Sequence, residues 1–366
     1  MSTNNRTGRK RDYVGVLSSV FAIVIGLLVG FVILLICNPS QALPGFVTIL
    51  TGAFTHGLKG VGQVFYYATP IILTGLSVGF AFKTGLFNIG TPGQFIVGAF
   101  AAVYVGIMWT GLGRIQWAVA LLAAILGGAL WGMVPGFLKA CFNVNEVIAS
   151  IMMNYIGMYM VNWIVKSYKP LFNNLRNESR NVAATAQIPK MGMDKLFPES
   201  SVGGGILLAI AAVLIIWVIL NKTTFGYELK AVGFNRDASR YAGINEKRNI
   251  IMSMVIAGAI AGMAGGLLYL AGTGKHIEIK DVLATEGFTG ISVALLGLSH
   301  PIGVLFSGLF IAYLTAGGFY LQLFEFSTEI IDIIVAVIIY FSAFALIVKT
   351  ILTRMNRKRE KGGGQI

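Results

Sequence analysis

The sequence predicts an all-α fold, a polytopic transmembrane helix bundle of about ten membrane segments, and three observations carry that prediction. Mean hydropathy is +0.77. Charged residues are only 12% of the 366, about half the share usual in a soluble domain. Apolar windows of roughly 20 residues, the length at which a helix crosses the hydrocarbon core, recur along the whole chain. These windows lack the alternation of an outer-membrane barrel strand, so a β-barrel is excluded.

The first window, 14–36, follows the basic cluster Arg6, Arg9, Lys10 and Arg11. It is too long for the apolar region of a signal peptide and no small-residue cleavage site follows, so it reads as a retained membrane helix. The next windows are 62–82, 92–110, 116–138, 146–165, 203–220 and 250–271. They are followed by 287–298, 302–320 and 330–348, of which 287–298 is too short to span unless broken or tilted. Glycines recur four residues apart in these runs: Gly26 with Gly30, Gly75 with Gly79, Gly132 with Gly136, and Gly258 with Gly262 and Gly266. Small residues at that spacing let helix backbones approach closely in lipid. They indicate a compact bundle and say nothing about its cargo.

Lys and Arg orient the bundle. The tail 1–13, the loop 221–249 and the tail 349–366 are basic, and ten crossings put all three on one face, cytoplasmic by the positive-inside rule. Both termini are then cytoplasmic and 14–348 is the transmembrane domain. The loop 166–202 falls outside although it holds Lys166, Lys169, Arg176, Arg180, Lys190 and Lys195, partly offset by Glu178, Asp194 and Glu199.

Several functions are excluded. The net charge of +13 sits in tails and short loops instead of one stripe, which is not a nucleic-acid surface. Cys37 and Cys141 fall on opposite sides of the bilayer and cannot pair. His56, His276 and His300 have no metal-ligand spacing, and no nucleophile, base and acid set is present, so an enzyme is not expected. No G-x-x-x-x-G-K-[ST] phosphate loop occurs, so ATP, if used, is not hydrolysed by this chain.

Polar residues within apolar runs are expensive and become candidate sites. Asn88, in "GLFNIG", stands where glycines and Pro92 interrupt a helix, and discontinuous helices are a recurring way to build a transporter site. Gln94, Asn154, Glu286 and Ser292 are further candidates. Each also reads as interhelical hydrogen bonding, the commoner use of Asn or Ser in a bundle. Glu146 opens a helix, where a carboxylate is favourable without any further role.

One charged island remains, "FGYELKAVGFNRDASRYAGIN". Residues 225–232 continue the preceding helix, Gly233 breaks it, Asn235 caps a short helix over 236–242, and Gly243 ends it. Tyr227, Leu229, Val232, Phe234, Tyr241 and Ile244 are many apolar groups for a solvated loop, and such a patch marks a contact surface.

This island resembles the coupling segment of bacterial ABC-type importer permeases, in the branch that takes up nucleosides and simple sugars and is related to ribose and branched-chain amino acid permeases. "GLFNIGTPGQFIVGAFAA", "NEVIASIMMNY" and "GFTGISVALLGLSHPIG" are similar to the same branch, in the right order. The family usually has Glu where Pro92 stands and Ala where Ser239 stands. The resemblance implies that Tyr227, Glu228, Leu229, Val232, Gly233, Asn235, Arg236, Ala238, Tyr241 and Gly243 form a cytoplasmic coupling helix seated on a separate ATPase. ATP and Mg²⁺ then belong to that partner. A second permease subunit, paralogous or identical, and an extracellular substrate-binding lipoprotein are implied as well, in the bacterial cytoplasmic membrane, with a nucleoside or related simple sugar as cargo. The alternative is an ion-gradient-driven secondary transporter or channel for a small polar solute. The apolar-studded island and the lack of a buried chain of acids disfavour it.

Overall fold

The computed structural model describes residues 4–327 and, between 329 and 341, all but 331, 335, 338 and 339, with side chains from Val20 onward except Ala22. Thirteen α-helices follow one another among the described residues. They are α1 (Asn4–Cys37), α2 (Ala42–Thr55), α3 (Gly57–Lys83), α4 (Thr91–Met108), α5 (Gln116–Phe142), α6 (Glu146–Ser167) and α7 (Met193–Leu196). Then come α8 (Gly205–Lys222), α9 (Thr224–Phe234), α10 (Arg236–Tyr241), α11 (Glu246–Tyr269), α12 (Thr285–Leu296) and α13 (Pro301–Phe319). Among the described residues seven helices are long and apolar enough to cross a membrane, and they correspond to the windows from 62–82 through 250–271 and to 302–320. The window 14–36 lies in α1, whose backbone is helical from Asn4, so the described part of the basic tail continues the first helix. The window 287–298 is α12, a 12-residue half-helix. The window 330–348 lies largely, and the tail 349–366 wholly, outside the described residues. A short apolar helix, α2, was not anticipated.

The centre of the bundle is α11, packed against α5, α4 and α3. Glycine makes this packing possible. A Cβ on Gly262 would lie 2.2 Å from the Ala124 carbonyl oxygen, and one on Gly128 would lie 2.2 Å from that of Gly258. Backbone cannot move aside as a flexible side chain does, so α5 and α11 touch main chain to main chain. Gly98 of α4 meets Gly262 and the Ala124 carbonyl at the same point. The half-helix α12 lies along α3, with Gly290 against Thr74 and Val293 against Gly75. Leu298 and Ser299, both at positive φ, then turn the chain into Pro301 at the start of α13.

The caps of α11, Asn245 and Leu270, lie at the two ends of the bundle, which are distinct. One end carries α9 and α10. The other carries the loop 168–204, which holds the only strands among the described residues, β1 (Phe172–Asn173) antiparallel to β2 (Glu178–Ser179). That loop is tied to the chain after α11 by Ser179 N to Ile277 O at 2.9 Å and Ile188 N to Leu270 O at 2.9 Å.

The main-chain contact makes a stability prediction. Gly262→Ala is expected to destabilise the bundle by about 1–3 kcal/mol, the usual cost of overpacking. Gly111→Ala, where nothing lies within 4 Å of an added Cβ, is expected to be neutral. Thermal unfolding in detergent of both variants checks this.

Candidate functional site

The charged island folds as a helical hairpin, with two differences from the sequence reading. α8 stops at Lys222, where Thr223 goes extended and its Oγ1 accepts from Gly226 N at 3.1 Å. α9 is therefore a separate, capped helix, not a continuation of α8. Gly233 does not break it, because α9 runs to Phe234 and only Asn235 leaves the helical region. Asn235 Oδ1 accepts from Ala238 N at 3.0 Å and so starts α10. Gly243, at φ +80°, ends it as expected. Asn245 caps α11 by accepting from Arg248 N at 3.0 Å.

The hairpin has two sides. Leu229 and Val232 are buried in the bundle, and Glu228 is held by Asn249 Nδ2 at 3.0 Å. Ser239 is buried too, its hydroxyl donating to Asn235 O at 2.8 Å within α10. Facing outward are Tyr227, Phe234 (90% exposed) and Tyr241 (95% exposed). Tyr227, Ala231, Phe234, Ala238, Ala242 and Ile244 line a groove between the two helices. Arg236 is half-buried and Ala238 exposed. Phe234 belongs to the outward surface in addition to the residues that the resemblance implies. Its place at the last turn of α9 follows from Asn235 capping the next helix.

Gly233 joins the hairpin to the bundle. A Cβ there would lie 2.5 Å from Lys83 O, and a Cβ on Gly85, itself at φ +70°, 3.2 Å from Gly233 O. Thus α9 rests on the chain that leaves α3. That chain, 84–90, is the interruption predicted around Asn88. Thr84 is anchored to Ser253 of α11, and Ser77 of α3 donates to Ala257 O at 2.7 Å.

Asn88, Gln94 and Asn154 converge there, all buried. Asn88 and Gln94 pair amide to amide, with Asn88 Nδ2 donating to Gln94 Oε1 at 2.9 Å and Gln94 Nε2 donating to Asn88 Oδ1 at 3.1 Å. Asn88 Oδ1 also accepts from Gly90 N at 3.1 Å. Asn154 of α6 accepts from Gly93 N at 2.8 Å and donates to Ile89 O at 2.9 Å. The two asparagines therefore satisfy the backbone that the interruption frees, a need that lipid makes absolute. Pro92 stands in the first turn of α4, where its missing N–H costs nothing, and a Cβ on Gly287 would lie 2.6 Å from it. The start of α12 thereby meets the start of α4. Glu286 lies at that junction and pairs with Lys275 at 2.9 Å, while Ser292 is buried on the same helix. Glu146, in the first turn of α6, pairs with Lys139 of α5 at 2.8 Å. Among the described residues no cluster of His, Cys, Asp and Glu is arranged to hold a metal ion.

With the hairpin and the interrupted helices in view, comparison with known proteins decides the family. Residues 60–343 match the family described as branched-chain amino acid transport system / permease component. The chain belongs to this permease family. It is 38% identical over 340 residues (93% of this chain, 96% of the relative) to the guanosine ABC transporter permease protein NupP of Bacillus subtilis (strain 168). It is 34% identical over 357 residues (96% and 95%) to the nucleoside ABC transporter permease protein NupB of Lactococcus lactis subsp. cremoris (strain MG1363). A second Bacillus subtilis protein, the guanosine ABC transporter permease protein NupQ, is 29% identical over 255 residues (68% and 77%). No solved structure matches the chain. The permease is a multi-pass membrane protein, a transport component of a larger system.

The amide network predicts a stability phenotype. Asn88→Ala leaves Gln94 and Gly90 N without partners, and each buried orphan costs about 1–3 kcal/mol. A lowered unfolding temperature in detergent is expected, and an unchanged one would show that the network is not what holds the interruption.

Proposed function

We propose that this permease is one of two membrane subunits of an ATP-driven importer of nucleosides. The observation that supports it most is the hairpin α9–α10, which offers exposed aromatic rings outward and sits on the helix interruption inward. Such a surface fits a cytoplasmic ATPase that carries ATP and Mg²⁺ and whose closure pushes on residues 84–90. The relatives' names support the rest. NupP and NupB are named for guanosine and nucleosides, and NupP and NupQ are two permeases of the same organism and the same named solute. A paralogous second permease is the partner they favour, with solute delivered from outside by a substrate-binding lipoprotein.

In this reading Tyr227, Phe234, Ala238 and Tyr241 touch the ATPase, whereas Glu228, Leu229, Val232 and Gly233 carry its motion inward. Asn235 and Gly243 set the hairpin's shape, and Arg236 sits at the start of α10. The route passes the junction of α4, α6 and α12. Asn88 and Gln94 satisfy each other, and Asn154 binds the main chain at Ile89 and Gly93, so they hold the wall of the route in shape, with Glu286 and Ser292 contributed by α12.

In proteoliposomes, nucleoside uptake is expected to require both ATP and the co-purified ATPase; uptake driven by an ion gradient alone would favour a secondary carrier. Phe234→Ala and Tyr241→Ala are each expected to weaken ATPase retention about tenfold or more, as loss of an aromatic anchor does. Retention unchanged in both would remove the hairpin from the interface.

Orientation is checked separately in a background lacking Cys37 and Cys141. A cysteine at Lys230 is expected to resist an impermeant thiol reagent in intact cells, while one at Asn177 reacts. The reverse pattern would invert the bundle.

A further inference from the structure

The outward faces of the long helices differ in chemistry. On α5 the exposed side chains include Leu122, Leu126, Leu130 and Phe137, and on α8 Leu207, Leu214, Ile215 and Val218. Those faces suit lipid. On α6 the exposed stripe includes Met152, Tyr155, Ile156, Tyr159 and Trp163.

Tyr155 is 45% exposed and Tyr159 53% exposed. At a rise of about 1.5 Å per residue, Tyr155 lies roughly 14 Å from the first residue of α6 and Tyr159 roughly 12 Å from its last. Both therefore fall in the middle of a hydrocarbon core about 30 Å thick. Tyrosine facing lipid belongs at the interfaces, where its hydroxyl reaches water, and a hydroxyl buried in hydrocarbon without a partner is costly. Four residues apart on one helix, the two rings share a face. The opposite face of α6 is packed, with Gly157 against Trp131 and Asn154 on the α4 interruption, so rotation of α6 offers no escape.

We propose that the Tyr155–Tyr159 stripe of α6 lines a water-filled path shared with the second permease subunit, and that its ring faces bind the planar base of a nucleoside by stacking. The second clause rests on the nucleoside reading above; the first does not. Stacking tolerates different bases, because every base presents a π-face. Water in the path satisfies the hydroxyls when no solute is present.

The test uses the assembled transporter in proteoliposomes with Cys37→Ser and Cys141→Ser as background. Tyr155→Cys and Tyr159→Cys are expected to react with a charged, water-soluble thiol reagent, and guanosine is expected to slow that reaction. Leu126→Cys on α5 is the lipid-facing control and is expected to stay unreactive. Both tyrosine positions as unreactive as Leu126→Cys would overturn the path and leave the nucleoside reading untouched. Reaction blocked by glucose and not by guanosine would overturn the stacking assignment and the nucleoside reading together. In uptake, Tyr155→Phe and Tyr159→Phe are expected to keep near-normal guanosine transport, since the ring is retained. Tyr155→Leu and Tyr159→Leu are expected to lower it at least about fivefold. Equal transport by the Phe and Leu variants would overturn stacking even if a cysteine variant failed to assemble.

Discussion

A polypeptide that interrupts a helix inside a bilayer must satisfy the freed backbone groups with its own atoms, because hydrocarbon offers none. In this permease that requirement falls on residues 84–90, and two asparagines meet it. Asn88 takes the N–H of Gly90, and Asn154 takes that of Gly93 while covering the carbonyl of Ile89. Because Asn154 stands on α6, the interruption is not a local matter of α3 and α4. It binds a third membrane helix to the same short segment. Ser77 and Thr84 bind a fourth, α11, through Ala257 and Ser253. Four spans thus meet at one irregular stretch of chain.

The close packing of α11 limits how that stretch can respond to a push. Where Gly128, Gly258 and Gly262 bring main chains together, there is no side-chain layer to absorb a displacement, and close-packed interiors transmit strain. The same holds at the hairpin, where Gly233 lies on the main chain of 83–85. Glycine therefore has two uses here. In the bundle it lets helices pack closely without a hydrophobic driving force between them. At the hairpin it makes a stiff joint between a surface element and a buried one.

Much of this was legible in the sequence, and the reason differs by feature. The long helices were readable because crossing a bilayer demands a run of apolar residues whatever the neighbours. α10 was readable because capping is local: Asn235 and Gly243 act within a few residues of themselves. α2 escaped notice because 14 residues do not reach across a membrane and its burial against α13 is tertiary. Gly233 was misjudged for a related reason. Alone it is a helix breaker, yet α9 continues through it, and the main chain at Lys83, which leaves no room for a Cβ, accounts for the glycine. Asn88 was found by its polarity, but its partners, Gln94 six residues on and Ser77 eleven back, are set by how the chain folds around the break. Tyr155 carried no signal in a linear reading, since an aromatic in an apolar run looks like core until its exposure is known.

The full use of Asn88's hydrogen-bonding groups bears on how the hairpin and α6 are connected. If Asn88 had groups to spare, a push at Gly85 would be taken up by exchanging partners. Asn88 has none to spare, since its oxygen accepts from Gly90 N and Gln94 and its nitrogen donates to Gln94 and Ser77. Breaking such bonds away from water costs more than tilting a helix that keeps all of its own. The lower-cost response is for 84–94 to move as a unit and to take Asn154 with it. The residue after Asn154 is Tyr155, about 100° further round α6 and on its exposed side. In the proposed coupling, a displacement that begins at the hairpin would reach the tyrosine face through one backbone contact and one pair of side-chain bonds.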